Sequence, residues 1–119
     1  MNRVFFIYLA FFASFLATEN TNTSNCQNGK PEVFFVTPKN GFKSTQSEIK
    51  IIFGIKNFNI VPAGINKCDS GHHHLVVDAD LPILSRPIPS SKSYIHFGKG
   101  QTETTIELTP GKHLSLIHI

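Results

Sequence analysis

The sequence predicts an all-β fold, most simply a small antiparallel sandwich of the immunoglobulin-like type that follows a signal-peptide helix. Two observations indicate this fold. Apolar and polar residues alternate in short runs, most regularly from Ser47 to Ile55, and prolines and glycines separate these runs at short intervals. No window beyond the first apolar stretch has helical periodicity. Short alternating strands joined by turns are typical of a sandwich.

Residues 1–17 have the order of a secretory signal. A basic residue, Arg3, is followed by an apolar run that gives way to polar residues at Thr18. The apolar run is shorter than the roughly 20 residues of a membrane-spanning helix. We therefore predict a cleaved signal peptide over 1–17 and a periplasmic or secreted protein, which meets the membrane only through that segment. Residues 18–31 are predicted to form a polar flexible tail.

Charge and cysteine content restrict the partners. The formal net charge is +3, and the lysines are spread singly along the chain. Nucleic-acid binding depends on a basic face or stripe, so we expect no nucleic-acid partner. Export would expose Cys26 and Cys68 to oxidising conditions, in which a disulfide persists. Two alternatives stay open: the cysteines form a disulfide, or they remain reduced and Cys68 is a soft metal donor near His72.

The first half of the mature chain contains two predicted strands and a short third one. Glu32 to Val36 is an apolar run between two prolines, and we expect it to be buried on both faces. Pro38 to Gly41 is predicted to be a turn. From Ser47 to Ile55 every second residue is apolar, which predicts an antiparallel strand with one buried and one wet face. Phe58 to Val61 is expected to continue it briefly.

The second half contains three further predicted strands. His72 to Val77 is the first, because three histidines run directly into a β-branched apolar segment. Residues 78–93 contain three prolines, which exclude a helix and predict a long extended connection. Ser93 to Phe97 and Thr102 to Leu108 are the remaining strands, and the Pro-Gly pair that follows favours a type II turn.

Alternation along two of these strands predicts a group of histidines on one face of a sheet. If Leu75 points into the core, His73 points inward with it, and His72 and His74 point outward. The same rule turns His96 outward on the following strand. Imidazoles that lie two residues apart, or on adjacent strands, are close enough to bind one ion. We therefore predict that His72, His74 and His96 are ligands of a transition-metal ion.

Other residues are candidates to complete this site. His113, just after the last turn, is a candidate fourth ligand, and His73, Asp78 and Glu103 are candidate outer residues that orient an imidazole. Neutral imidazoles suit copper or zinc better than calcium or magnesium, which prefer oxygen. The alternative is that the exposed histidines are ordinary polar surface and that His73 is a core residue.

Several longer motifs resemble a known family. They are Gly-His-His-His-Leu-Val-Val-Asp at 71–78, His-Phe-Gly-Lys-Gly-Gln-Thr-Glu-Thr at 96–104, Leu-Thr-Pro-Gly-Lys-His at 108–113, and the shorter segments Phe35 to Gly41 and Val61 to Gly64. Together they resemble a bacterial exported family known only as domain of unknown function 4399, over about residues 32–113. The resemblance implies a small periplasmic or secreted β domain and implies no chemistry.

Residues 114–119 are predicted not to be native protein. The sequence Leu-Ser-Leu-Ile-His-Ile matches one reading frame of the transposon end sequence used to prepare shotgun sequencing libraries. We therefore expect a β-sandwich domain over 32–113 that is incomplete at its C-terminus. The family continues past the position of His113 with a strand and with further Asp and His residues, so donors from that segment would be absent.

Three functions are compatible with these observations. The preferred hypothesis is an exported, non-catalytic β domain that binds copper or zinc through a surface histidine cluster. The alternative is an immunoglobulin-like module that binds a periplasmic protein or a polymer through its loops, with structural histidines. A copper and zinc redox enzyme is a third hypothesis, because superoxide-dismuting sandwiches also carry His-x-His on a strand. It is disfavoured because catalysis needs further ligands and an open metal position.

Overall fold

The computed structural model describes Cys26 and residues 29–119. Within this part of the chain the regular structure is all β, as predicted. The strands are β1 (Glu32–Thr37), β2 (Glu48–Lys56), β3 (Asn59–Ile60), β4 (Ser70–Gly71), β5 (His74–Val77), β6 (Tyr94–His96), β7 (Glu103–Glu107) and β8 (Ser115–His118). The described residues include no helix long and apolar enough to cross a membrane. The signal peptide predicted over 1–17 lies outside the described residues, as does most of the predicted tail.

Two three-stranded antiparallel sheets make up most of the fold. The first has the order β1-β2-β7 and the second the order β6-β5-β8. Strands β3 and β4 form a separate parallel pair. Because β2 and β5 are central, each has hydrogen-bonded neighbours on both sides, and these two strands carry most of the buried side chains.

Side chains from the two central strands meet in one core. Ile51 and Phe53 of β2 pack with Leu75 and Val77 of β5, and with Phe97 just after β6. The residues of this core are two apart within each strand, so one face of each sheet is apolar and covers the other. Val76, which alternation places on the opposite face of β5, is also buried. Full burial of an aliphatic or aromatic side chain contributes roughly 1.5–3 kcal/mol. This shared core therefore fixes which face of each strand points outward.

The first strand is less buried than its sequence predicts. Glu32 to Val36 is an apolar run, but β1 is an edge strand and buries only one face. Phe35 packs against Phe53 with ring centroids 6.4 Å apart, whereas Phe34 and Val36 are 37% and 41% exposed. A short continuous apolar run is compatible with a central or an edge position, and here the edge position applies.

The histidine strand begins two residues later than predicted. β5 starts at His74, and His72 and His73 lie in the link between β4 and β5. The carbonyl of His73 nevertheless accepts a hydrogen bond from the amide of Phe97 at 3.0 Å. The link is therefore held against the chain that follows β6, and its side chains keep the alternation of the strand.

The strand-forming part of the chain extends beyond the predicted domain end at His113. Ser115–His118 forms β8, which pairs with β5 along its free edge. The non-native origin of residues 114–119 stays a prediction. In the structure these residues supply the third strand of the β6-β5-β8 sheet.

Cys26 and Cys68 are joined by a disulfide, with their Cα atoms 5.4 Å apart. The bridge ties the chain before β1 to the loop that leads into β4. Of the two alternatives that the sequence leaves open, the structure has the bridged form. Cys68 is therefore not a thiolate donor for a metal.

Candidate functional site

The candidate site is a group of three rings on the outer face of the β6-β5-β8 sheet, which we call the histidine triad: His72, His74 and His96. Strands β5 and β6 pair in a register that places His74 directly opposite His96. His72 lies two residues before His74 and so points to the same side. The three ring centroids are 4.6 to 4.9 Å apart. The structure thus brings together three of the four residues predicted as ligands.

The spacing of the triad is close to that of a metal site. One ring nitrogen from each histidine lies within 4.8 Å of the other two. Nitrogens that bind one tetrahedral ion at 2.0–2.1 Å are about 3.3 Å apart, so each pair must close by at most about 1.5 Å. Rotation about the side-chain torsions provides such a movement without a change of backbone. His72 and His74 are partly buried and His96 is exposed, so an ion has access from solvent.

Burial and the positive charge of neighbouring histidines lower the pKa values of two triad residues, His72 and His74. Burial is the largest cause that lowers the pKa of His74, to about 4, and positive charge on the surrounding histidines lowers it further. The pKa of His72 is also lowered, first by burial and then by His96. At neutral pH these imidazoles carry no charge, and each has a nitrogen lone pair that can bind a metal.

The absence of a side chain at Gly98 leaves space for the ring of His96. A Cβ at Gly98 would lie 2.8 Å from Cε1 and 3.1 Å from Nε2 of His96, closer than side chains tolerate. The carbonyl of Gly98 accepts a hydrogen bond from the amide of Ala63 at 2.8 Å, which fixes its backbone from the other side. A side chain at position 98 would therefore displace the His96 ring.

His73, a candidate outer residue, lies in the core and does not contact the triad through a hydrogen bond. Its side chain is fully buried, and its ring centroid is 4.8 Å from that of Phe53. Neither ring nitrogen has a hydrogen-bond partner among the described residues. Burial lowers the pKa of His73, and positive charge on His72 lowers it further. His73 is therefore a neutral core residue, the alternative that the sequence left open.

His113, the predicted fourth ligand, lies outside the triad. Its Nδ1 is 2.6 Å from Oδ2 of Asp78, and its Nε2 is 2.6 Å from the carbonyl oxygen of Thr109. Both oxygens accept, so both ring nitrogens donate and the imidazole is protonated. The hydrogen bond to Asp78 is the main cause that raises the pKa of His113. A protonated ring has no lone pair for a metal, so His113 is not a ligand in this arrangement.

Asp78 and Glu103, the other candidate outer residues, also have partners elsewhere. Oδ1 of Asp78 accepts a hydrogen bond from the Leu114 amide at 2.9 Å, while Oδ2 pairs with the protonated ring described above. Glu103 lies on the other sheet and forms an exposed ion pair with Lys50 at 3.4 Å. Neither carboxylate reaches the triad, because strand alternation determines only the face of a residue and not its neighbours across the fold.

One histidine near the triad is missed by the sequence-based interpretation. β8 pairs with β5 so that His118 lies opposite His74, with ring centroids 6.3 Å apart. The sequence predicts that residues 114–119 are not native protein and predicts no strand there. Its short apolar run is a signal for a strand, but such a run does not specify the partner strand.

The chain belongs to the family described as Domain of unknown function (DUF4399). The family model matches residues 51–117, more than half of the chain, and this range contains the whole triad. No curated protein and no solved structure matches the chain. The family assignment supports the resemblance seen in the motifs and leaves the chemistry of the site to be argued from its geometry.

Replacing His73 with leucine is expected to stabilise the protein. The two side chains are similar in size, and a buried polar group without a partner costs about 1–3 kcal/mol. We expect the free energy of unfolding, measured by urea denaturation at pH 7 with chelator, to rise by about 1 kcal/mol. The control, His113→Leu, loses the pair with Asp78 and should be less stable than the parent. A clear loss of stability in His73→Leu would contradict the unpaired state of this ring.

Stability of the metal-free protein is expected to fall as the pH drops from about 6.5 to 4. The folded pKa of His74 lies below its ordinary value of 6.5, and those of His72 and His73 are also lowered. In this range the unfolded chain binds more protons than the folded one, so acid favours unfolding. His74 should contribute on the order of 1–3 kcal/mol, allowing for partial solvent screening.

His113 should have the opposite effect. Its folded pKa is raised, so the stability that its pair with Asp78 contributes is present below pH 6.5 and is lost as the pH rises through the folded pKa.

Urea denaturation at a series of pH values measures the effect of His74. In a His74→Gln variant the free energy of unfolding should depend less steeply on pH below 6.5 than in the parent, and equally steeply above 6.5. An equal slope in parent and variant would show that His74 is not held neutral by the fold.

Proposed function

We propose that this member of the DUF4399 family is an exported, non-catalytic β domain that binds one copper or zinc ion through His72, His74 and His96. The observation that carries this proposal is the convergence of three imidazole nitrogens within 4.8 Å on one outer face. Burial, and then positive charge on the neighbouring histidines, opposes protonation of His74, so the lone pair of this ring stays available at neutral pH. An ion placed among the three rings could bind this lone pair together with one nitrogen each from His72 and His96.

The donor set supports copper or zinc. Imidazole nitrogen is a borderline ligand that suits zinc, copper and nickel, whereas calcium and magnesium prefer oxygen. Both cysteines of the described chain are in the disulfide, so no thiolate competes for a softer ion. In the usual order of affinities for nitrogen sites, divalent copper ranks above zinc. We therefore expect tighter binding of Cu²⁺ than of Zn²⁺.

A periplasmic or secreted location is part of the proposal. It is supported by the apolar N-terminal run with its preceding arginine. It is also supported by the disulfide, because such bonds persist mainly in oxidising compartments. A copper or zinc site outside the cytoplasm would meet metal ions before they enter the cell.

An immunoglobulin-like module that binds a protein or polymer through its loops is the second candidate function. The loop between β5 and β6 favours it, because Leu81, Ile83 and Leu84 are 52%, 64% and 52% exposed. Exposed apolar side chains that cluster in one segment often mark a contact surface. In this alternative the histidines are scaffold, and chelator leaves stability and partner binding unchanged.

Calorimetric titration of the mature protein with Cu²⁺ and Zn²⁺ tests the metal proposal. We expect one ion per chain, and a loss of affinity greater than 100-fold in the His72→Ala, His74→Ala double variant. The reason is that even outer residues of metal sites contribute about 10–100-fold. The control is His113→Ala, which removes a histidine outside the triad and should bind as the parent does. Equal affinity in the parent and the double variant would exclude the triad as the site.

Gly98→Ala is expected to weaken metal binding without unfolding the protein. The new methyl group would overlap the His96 ring, so the ring must turn away from the other two ligands. We expect an affinity loss of about 10-fold, as for outer residues that orient a ligand, with little change in the melting temperature of the metal-free protein. Lys99→Ala is the control next to it. If the two variants bind the ion equally well, Gly98 does not set the position of His96.

A further inference from the structure

The triad supplies three nitrogen ligands, one fewer than the four that zinc takes in a closed structural site. The sequence also predicts other donors. In the described part of the chain, each of these is bonded to another group or lies away from the triad. His73 is buried on the core face, His113 and Asp78 bind each other, Glu103 binds Lys50 on the other sheet, and Cys26 and Cys68 are bridged. None of them belongs to the group whose nitrogens converge.

His118 is the other described histidine whose ring lies near the triad, and it lies on the side of His74 opposite to His96. β5 is the middle strand, with His96 on β6 to one side of His74 and His118 on β8 to the other. Adjacent strands are about 4.8 Å apart, so the backbones of His96 and His118 are roughly 9.6 Å apart across the sheet. The His74 and His118 ring centroids are 6.3 Å apart, against 4.6 to 4.9 Å within the triad. An ion between His72, His74 and His96 therefore lies toward β6 and away from His118.

Solvent reaches the triad from the side that faces away from the sheet. His96 is exposed on the edge strand β6, and His72 and His74 are only partly buried. Among the residues that the structure describes, no fourth His, Cys, Asp or Glu joins the group whose donor atoms converge. Since all three ligands are neutral, a divalent ion held there keeps its full charge of +2, which favours a negative fourth ligand.

We infer that a divalent ion bound by the triad keeps one coordination position open to solvent, and that this position takes water or a small monodentate anion. This inference rests on the proposed function and adds the class of ligand that the bound ion accepts. Three protein ligands and one exchangeable position are the arrangement in which zinc binds water or another small ligand. The open position distinguishes this site from a closed structural one.

Titration of the copper-loaded mature protein with sodium azide tests the inference. We expect a saturable azide-to-copper charge-transfer band with one azide per copper, and an accompanying change in the copper electron paramagnetic resonance spectrum. A His118→Gln variant should bind azide with the same affinity as the parent. Two controls should not give the saturable band. One is the parent protein without copper, and the other is the double variant His72→Ala, His74→Ala with the same amount of added copper.

The outcomes separate the two proposals. If copper is not bound, or is bound equally by the double variant, the proposed function fails before azide is added. If copper is bound through the triad but azide changes neither spectrum, the fourth position is closed and the inference fails alone. If azide binds only to His118→Gln, then His118 fills the position in the parent, which also overturns the inference.

Discussion

The pairing of β5 with β6 is the constraint on which the site depends. In this register Leu75 lies opposite Ile95 and His74 lies opposite His96. Leu75 is fully buried, so the apolar pair faces the core and the histidine pair faces outward. A shift of one residue would send the His96 side chain into the core and an apolar side chain to the surface. The same burial that stabilises the fold therefore assembles the triad.

The geometry that makes the triad suitable for a metal also opposes folding in acid. The three rings are held 4.6 to 4.9 Å apart, and two of them, His72 and His74, resist protonation because burial and then positive charge on neighbouring histidines lower their pKa values. His73 adds a buried ring immediately behind them that has no hydrogen-bond partner in the described part of the chain. A run of three histidines thus places an unfavourable polar residue in the core between two that face solvent. Binding sites that trade stability for function commonly show such local conflicts.

Alternation predicts the faces of the strands well but not their neighbours. It places His73 in the core and His72, His74 and His96 on the outer face, because a period of two applies wherever one side of a strand is buried. It did not predict the surroundings of His113 and Asp78, which lie 35 positions apart and meet through the chain returning to β8. Asp78 has a φ of 50°, a left-handed conformation that redirects the chain at the end of β5. Tertiary pairing of this kind leaves no periodic signal.

The disulfide links the chain before β1 to the loop that leads into β4, close in sequence to the triad residue His72. Cys68 lies four residues before His72, and its partner Cys26 is 42 positions earlier. Closing a loop of this length in the unfolded chain stabilises the folded state by about 4 kcal/mol in the chain-entropy model. The short parallel pair β3-β4 then carries the constraint to the link that holds His72, since Val61 donates its amide to the Gly71 carbonyl at 2.8 Å. His74 and His96 are positioned by the sheet, whereas His72 depends on this tethered link. Reduction of the disulfide should therefore change the position of His72 before it changes the positions of His74 and His96.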